Sequence, residues 1–386
     1  MKQWISDAVK YVGVDDPTLD LFESQYTVPE GICYNSYIIF DEKVAIMDCV
    51  DDRAVDQWLV NVENTLAGRV PDYLVVLHME PDHSAGIARL VARYPSIKIV
   101  GNDKTFKMME QFFSFDLTDR MVVVDNAGAV DLGMRQLQFY KTPMVHWPEV
   151  MMAYDTVDKT LYSADAFGRF ALYDYDGEWV DQARRYYYNI VGKYGANVQA
   201  ALKKLKGLDV QTIAPLHGNV LTEDIGYYLG KYNSWSLYQP DEDGVLVAYA
   251  SIYGNTKRAA ERMAELLTAA GAPKVQLLDL TRGDLSFAVD AAMGMKHLVL
   301  AASSYDAGLF PPMVYFLSRL KSKGYCGRKV AIIENATWAA TAGKVMREML
   351  DGMKKIELYS DVVTIRSAYK PTDDEALAAM AAWICE

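Results

Sequence analysis

The stretch that decides the fold covers residues 75–86 and reads VVLHMEPDHSAG. Residues 73–77 form an apolar, β-rich run, so the stretch begins as a buried strand. Four side chains that can bind a metal ion follow within six residues: His78, Glu80, Asp82 and His83. Imidazoles and carboxylates packed this closely are costly unless a cation neutralises them. The pattern therefore predicts a metal-binding loop at the end of a strand, with a helix beginning at Ser84.

An alternative explanation of this loop is a polar surface turn with a helix cap. Turns of that kind favour Asn, Asp, Gly and Ser, and paired histidines are not typical of them. Three further candidates stand at the ends of predicted strands: His146, Asp165 and His217. Each alone could be a hydrogen-bonded core histidine or a capping aspartate, but four of the five histidines of the chain fall in such places. We therefore predict one site of seven ligands, which suits two metal ions better than one.

Length and composition predict a globular chain of two domains. At 386 residues the chain exceeds one ordinary core, and 51% hydrophobic with 23% charged residues is typical of folded domains. The longest apolar runs, such as residues 298–302, are too short to span a bilayer, and residues 1–7 lack the apolar segment of a signal peptide. The net charge of −12 argues against nucleic acid or an anionic membrane as a partner.

The four cysteines, Cys33, Cys49, Cys326 and Cys385, are scattered and form no C-x-x-C pair. This spacing excludes a rubredoxin, a zinc ribbon or a thioredoxin-type pair within these residues. Reduced thiols and a cytoplasmic location are the expectation.

The predicted order of helices and strands changes at an acidic, proline-containing linker, residues 239–244 (QPDEDG). Before the linker, short strands and hairpins alternate with helices, including one helical stretch over residues 180–205, which is typical of a layered α/β sandwich. After the linker, strands and helices alternate strictly, which predicts a doubly wound sheet of five parallel strands. We therefore predict an α/β protein with domains at residues 1–242 and 243–386.

A second candidate site lies in the second domain, where three strand ends carry polar loops. The first loop follows the strand at 245–250 and opens a helix, so its hydroxyls, amide and backbone N–H groups can bind a phosphate. It matches neither G-x-G-x-x-G nor G-x-x-x-x-G-K-[ST], which disfavours a dinucleotide or a nucleoside triphosphate. An ordinary helix cap with core aromatics elsewhere is the alternative. The residues of the three loops are Ser251, Ile252, Tyr253, Gly254, Asn255 and Thr256; Ser303, Ser304, Tyr305, Asp306, Ala307 and Gly308; and Asn335, Ala336, Thr337, Trp338 and Ala339.

The seven metal candidates resemble the metallo-β-lactamase fold in its flavodiiron version. Glu80 stands where hydrolases of that fold have a third histidine, and a carboxylate there favours iron over zinc. The resemblance implies that His78, Glu80 and His146 hold one iron, that Asp82, His83 and His217 hold the other, and that Asp165 bridges them. It also implies that Tyr194 donates a hydrogen bond to the bound substrate. Beside these residues, Trp147 could shield the site and Glu149 could orient a ligand imidazole.

The three loops of the second domain resemble the FMN loops of flavodoxin. Tyr253 stands where many flavodoxins have threonine, and the third loop lacks the glycines common in relatives. The chain as a whole therefore resembles a two-domain flavodiiron protein. The implied fold is a metallo-β-lactamase-like αββα sandwich followed by a flavodoxin-like five-stranded sheet.

The function that this resemblance implies is reduction of dioxygen to water, of nitric oxide to nitrous oxide, or both. Two non-haem irons and FMN would be the cofactors, and a rubredoxin-like or other redox protein the external donor. The patches at 203–206 and 319–329 are candidate docking sites for that donor. A head-to-tail homodimer or a dimer of dimers is the implied assembly. The alternatives are a zinc-dependent hydrolase fused to a flavodoxin module, and an electron carrier whose metal site is vestigial.

Overall fold

The computed structural model describes residues 5–386, which divide into two compact units at Ser236 and Leu237. The predicted boundary at 242/243 lies later, because the acidic residues of the predicted linker already belong to the second unit. Glu242 begins the strand Glu242–Ala250, and it pairs with Lys274. Asp243 pairs with Lys296 at 2.9 Å. The signal-peptide expectation concerns the chain start, of which residues 1–4 lie outside the described residues.

Within residues 5–236, two mixed sheets pack together through a buried apolar layer. The first sheet contains, in spatial order, Val9–Tyr11, Tyr37–Ile39, Ala45–Met47, Tyr73–Val75, Lys98–Gly101 and Met121–Val123. The second contains Ala129–Asp131, Gln136–Lys141, Met151–Asp155, Thr160–Tyr162 and Thr212–Ala214. Two short ribbons pair Val14–Asp16 with Ile32–Tyr34 and Leu21–Phe22 with Tyr26–Thr27.

Helices cover the outer faces of these sheets. Strand residues alternate between the two layers, so Tyr37 and Ile39 face the second sheet while Ile38 packs with the helices. The helices of the first unit are Val55–Leu66, Pro81–Ser84, Ile87–Arg93, Asp103–Phe112, Trp179–Ile190, Gly195–Leu205 and Ile225–Ser236, with 3₁₀ turns at Asp52–Ala54 and Gly192–Tyr194. The predicted αββα sandwich is confirmed.

Two helix boundaries differ from the sequence-based expectation. The helix expected to begin at Ser84 begins at Pro81, because proline at the first helical position has the required φ and needs no N–H partner. Asp82 and His83 therefore lie in a helical turn instead of a loop. The single helix expected over 180–205 ends at Ile190, and Gly192 adopts a φ of +23° before the next helix begins. Glycine permits this change of direction.

The second unit is built on five parallel strands with helices on both faces. In spatial order the strands are Val275–Asp279, Glu242–Ala250, Met295–Tyr305, Lys329–Ala336 and Glu357–Arg366, and Gly308–Leu309 pairs antiparallel with the third of these. The helices are Asn255–Ala269, Leu285–Gly294, Pro311–Ser322, Ala342–Leu350 and Asp374–Cys385, with a 3₁₀ turn at Pro371–Asp373. The strand order 2-1-3-4-5 is that of flavodoxin-like sheets, so the predicted doubly wound domain is confirmed.

None of the helices within residues 5–386 combines the length and apolar character that a bilayer crossing requires.

The fifth histidine, His297, gives the second unit a pH dependence that can be measured. Burial, followed by the charges of Lys296 and Lys329, lowers the pKa of His297 from 6.5 to about 4. Because the pKa in the folded state is below that of the unfolded chain, this contribution to stability is complete above about pH 6.5 and is lost as the pH falls through 4. We expect the unfolding midpoint of the second unit to fall over that range. His297→Gln should flatten this part of the profile, and identical profiles for both proteins would contradict the prediction.

Candidate metal centre and anion-binding cavity

The first metal-binding group consists of His78, Glu80 and His146. His78 follows the strand Tyr73–Val75, and Glu80 is the N-cap of the helical turn Pro81–Ser84. The Nε2 atom of His146 lies 2.9 Å from Glu80 Oε2 and 3.4 Å from His78 Nε2. His78 Nε2 lies 3.2 Å from Glu80 Oε2. Two imidazoles and one carboxylate thus point their ligand atoms at one point.

The second group consists of Asp82, His83 and His217. Asp82 and His83 lie in the helical turn, and His217 follows the strand Thr212–Ala214. The Nε2 atoms of the two histidines are 3.0 Å apart, and Asp82 Oδ2 lies 3.3 Å from one and 3.2 Å from the other. All three residues are buried.

Asp165 lies between the two groups and faces both. Its Oδ2 atom is 2.8 Å from His146 Nε2 in the first group, and its Oδ1 atom is 3.1 Å from His83 Nε2 in the second. Within the described residues 5–386, Asp165 Oδ1 and both oxygens of Asp82 are buried without an aligned hydrogen bond. Buried carboxylate oxygens that face imidazole nitrogens without bonding them are suited to metal ions. The donor set therefore fits two ions bridged by one carboxylate.

The electrostatics of the cluster show how strongly it requires positive charge. Burial would raise the pKa of Glu80 and of Asp165, but the surrounding histidines outweigh burial and lower both pKa values. Burial would lower the pKa of His146, but Asp165 and Glu80 raise it to about 9. The pKa values of His78 and His217 are raised in the same way by carboxylates. Cations that bind here replace the imidazole protons, so metal binding should release protons.

Hydrogen bonds on the far side of two imidazoles fix their orientation. His78 Nδ1 donates to Glu149 Oε1 at 2.7 Å, and the same oxygen accepts from the N–H of Met79 at 2.9 Å. His217 Nδ1 donates to the backbone oxygen of Cys33 at 2.7 Å. The Nε2 atoms are thereby held toward the cluster. The expected contact of Glu149 with a ligand imidazole is thus present, and the Trp147 ring lies edge-on to His78 at 5.3 Å.

Asp48 supports the metal loop through hydrogen bonds to its backbone, and the sequence did not single it out. Its Oδ1 atom accepts from the N–H of Leu77 at 2.7 Å and from that of His78 at 3.3 Å. Burial raises the pKa of Asp48 to about 8. A lone aspartate after the strand Ala45–Met47 looks like an ordinary turn residue. Its φ of +51°, which aims the carboxylate at the loop, is not visible in the sequence.

The tyrosine nearest the cluster differs from the one that the sequence singled out. Tyr194 ends the 3₁₀ turn Gly192–Tyr194, half-buried, with its ring beside Lys193 Nζ at 5.1 Å. Tyr186, one helix earlier, is fully buried with its ring 5.5 Å from that of His217. Burial, followed by the charges of Asp165 and Glu80, raises the pKa of its hydroxyl. The helix predicted over residues 180–205 breaks between these two tyrosines. The role of Tyr194 as a substrate hydrogen-bond donor stays a prediction.

The second candidate site is a cavity of about 350 Å³ at the carboxyl ends of the parallel strands. It is lined by the three predicted loops, without Gly254 and Gly308, and by two residues that the sequence did not indicate: Ser251, Ile252, Tyr253, Asn255 and Thr256; Ser303, Ser304, Tyr305, Asp306 and Ala307; Asn335, Ala336, Thr337, Trp338 and Ala339; and Thr341 and Ser367. The strand order places these loops at the switch point where doubly wound sheets bind ligands.

A hydrogen bond joins the first two loops, and Gly254 in the first loop has a backbone conformation that favours glycine. Gly254 has a φ of +84° at the N-terminus of the helix Asn255–Ala269, and its N–H bonds to Ser251 Oγ at 3.0 Å. The hydroxyls of Thr256 and Ser303 lie 2.8 Å apart. Backbone N–H groups at a helix N-terminus favour a phosphate. At the rim, Tyr253 and Trp338 are 89% and 87% exposed, so their rings are available to a flat aromatic ligand.

Comparison with known proteins finds relatives along nearly the whole chain. The family described as "ODP family beta lactamase" matches residues 32–218. A nitric oxide reductase of Moorella thermoacetica is 26% identical over 92% of this chain and 91% of that protein. The structure of rubredoxin:oxygen oxidoreductase from Desulfovibrio gigas matches with a TM-score of 0.93 and 25% identity over 99% of this chain and 97% of that one. The flavodiiron protein of Giardia intestinalis shares the fold, with a TM-score of 0.92 and 23% identity over 99% and 95% of the two chains.

The chain is similar to flavodiiron proteins over nearly its whole length. It is therefore an oxidoreductase, and the predicted cofactors, FMN and a non-haem diiron centre, are those of the family. The seven residues expected to bind metal all lie in the two groups and the aspartate between them. Their roles as iron ligands stay predictions, as do the roles of the cavity residues in binding FMN.

The contact between Glu149 and His78 predicts a loss of metal affinity on substitution. Glu149→Ala removes the acceptor that fixes the His78 ring, so we expect the affinity of this chain for iron to fall about 10- to 100-fold. Competition against a chelator of known affinity measures the change. Glu110→Ala, on the exposed face of Asp103–Phe112, is the matched control. Equal iron affinities in the two variants would contradict the prediction.

Proposed function

We propose that this flavodiiron chain reduces dioxygen to water, nitric oxide to nitrous oxide, or both. The observation that carries the proposal is Glu80, a carboxylate that lies 2.9 Å from His146 Nε2 within the first group. Hard oxygen donors mixed with imidazoles suit redox-active iron, whereas zinc does no redox chemistry. One similar protein is named for nitric oxide and another for oxygen, so the comparisons support both substrates.

The grouping of the seven residues supports a division between two irons. His78, Glu80 and His146 would hold one iron; Asp82, His83 and His217 would hold the other; and Asp165 would bridge them. When bound, the ferrous ions supply electrons and open coordination positions for a diatomic gas.

Aromatic side chains keep water from the second group and provide a proton near it. The Phe22 and Tyr34 rings stand edge-on to His217, at 5.4 and 6.1 Å. Tyr186 keeps its proton because burial raises the pKa of its hydroxyl. It is therefore suited to donate a hydrogen bond into the cluster, beside the role proposed for Tyr194.

The cavity of the second unit would hold FMN by its two ends. The first loop, with Ser251, Thr256 and the N–H groups of the helix start, would bind the phosphate. Tyr253 and Trp338 would flank the isoalloxazine ring. The remaining residues of the second and third loops would contact the ring and the ribityl chain.

Electrons would arrive from a rubredoxin-like or other external redox protein, and the chain would act in the cytoplasm as a head-to-tail homodimer or a dimer of dimers. One of the two predicted docking patches needs correction. Arg328 is only 4% exposed and donates to the backbone oxygens of Met293, Met295 and Tyr238, each at 2.9 Å, so it is not available to a partner. Lys203 and Lys204, at the end of Gly195–Leu205, remain candidates for docking.

Consumption of each gas by the loaded protein tests the proposed function. Protein purified without oxygen is loaded with iron and FMN, and a reductase with a rubredoxin supplies electrons. We expect steady consumption of dioxygen, of nitric oxide, or of both, with about two irons per chain by metal analysis. Two zinc ions and no iron would instead indicate a hydrolase, and iron without consumption of either gas would indicate an electron carrier. Either result would contradict the proposal.

Replacement of Glu80 by histidine tests the residue that distinguishes this site from a hydrolase site. Glu80→His removes the carboxylate that faces both His78 and His146, so we expect the iron content and the gas reduction to fall by at least roughly 100-fold. Bound FMN should be retained, because all the cavity residues lie in the second unit. Glu110→His serves as the control for a new surface histidine. Full activity of Glu80→His would show that the metal loop has been misinterpreted.

A further inference from the structure

A buried carboxylate lies directly behind the third loop of the cavity. Glu334 precedes Asn335 on the strand Lys329–Ala336 and is 7% exposed. Its Oε2 atom accepts from the N–H of Gly343 at 2.7 Å, and its Oε1 atom accepts from the hydroxyl of Thr364 at 2.8 Å. Within residues 5–386, no lysine, arginine or histidine forms an ion pair with it.

This carboxylate caps a helix that begins where the third loop ends. Gly343 is the second residue of Ala342–Leu350, whose first N–H groups have no partner within the helix. Ser304 of the second loop accepts from the N–H groups of Thr341 and Ala342, at 2.9 and 3.1 Å. A Cβ at position 343 would stand 3.1 Å from Glu334 Oε2 and 2.7 Å from Val362 Cγ1, so glycine allows the close approach.

The surroundings of the Glu334 carboxylate are hydrogen-bond donors and a helix N-terminus. Both oxygens act as acceptors, and an anion is favoured at a helix N-terminus. The charge also offsets the positive end of the helix, which would otherwise favour negative charge in the cavity. Because the carboxylate is buried, water and salt screen it only weakly.

We propose that Glu334 is a positioning residue that lowers the reduction potential of FMN in this cavity, an inference that rests on the proposed function above. Two electrons from the donor and one proton convert oxidised FMN to the anionic reduced form, which adds one negative charge to the ring system. The fixed negative charge of Glu334 lies behind Asn335 and opposes the added charge. It also offsets the positive end of the helix, which would otherwise favour the added charge. Glu334 acts through its electric field and through the third loop, without a place among the residues that line the cavity.

The substitution Glu334→Gln removes the charge and keeps the shape and one acceptor oxygen. We expect the affinity for reduced FMN, relative to oxidised FMN, to rise roughly tenfold, which is a positive shift of about 30 mV for a two-electron couple. Anaerobic titration of the FMN-loaded full chain with dithionite and a reference dye, followed by flavin absorbance, measures the potential. Glu348→Gln is the matched control, since it removes the same charge at an exposed site of the helix Ala342–Leu350 that Glu334 caps. The control should leave the potential unchanged.

A second variant separates the charge from the structural contact. Thr364→Val keeps the carboxylate but removes the hydroxyl that bonds to Oε1, so the charge is less compensated and the potential should shift in the negative direction. If Glu334→Gln weakens the binding of oxidised and of reduced FMN by the same factor, Glu334 only holds the third loop in place, and the proposal is overturned. If that variant does not fold, an unchanged potential in Thr364→Val overturns it. Failure of the wild-type chain to bind FMN would instead contradict the proposed function.

Discussion

The structure of the first unit depends on two buried carboxylates and one partly buried carboxylate that face four buried imidazoles. Glu80, Asp82 and Asp165 would be prohibitively costly to bury as free anions, and the imidazoles would be costly as cations. Together they lower the pKa values of Glu80 and Asp165 and raise that of His146 to about 9, so each group stabilises the charged form of the others. The arrangement holds only if all the side chains are fixed at short distances. The rest of the unit provides this fixation.

The two sheets divide the supply of these ligands between them. The first sheet delivers His78 and, through the helical turn that begins at Pro81, Asp82 and His83. The second delivers His217 after the strand Thr212–Ala214. Because the sheets pack through a dry apolar layer, groups at their edges are held as rigidly as the core itself. Glu149, Asp48 and the backbone oxygen of Cys33 then fix the orientation of the loop and of two imidazoles.

Under the proposed function the second unit would face a different problem, since its cavity would hold an anion with few cationic side chains. The helix start after Gly254 and the hydroxyls of Ser251, Thr256 and Ser303 provide the donors. Neutral donors leave the charge of a bound cofactor largely uncompensated, so a single buried carboxylate nearby has a large influence. Glu334 is such a group, and its partners belong to elements that also shape the cavity.

The sequence by itself determined the fold class, the seven metal candidates and the three cavity loops, because these depend on local patterns. A strand that ends in His78-x-Glu80 can be recognised without knowledge of distant residues, and so can a polar loop that precedes a helix. Only the tertiary structure decided that Tyr186 and not Tyr194 lies against His217, and that Asp48 supports the loop. The burial of Glu334 and of Arg328 gave no sequence signal, since the partners of Glu334 lie 9 and 30 residues away and those of Arg328 include Tyr238, 90 residues away. Such contacts follow from how strands and helices pack, and packing is set by the whole core, so short-range patterns cannot specify them.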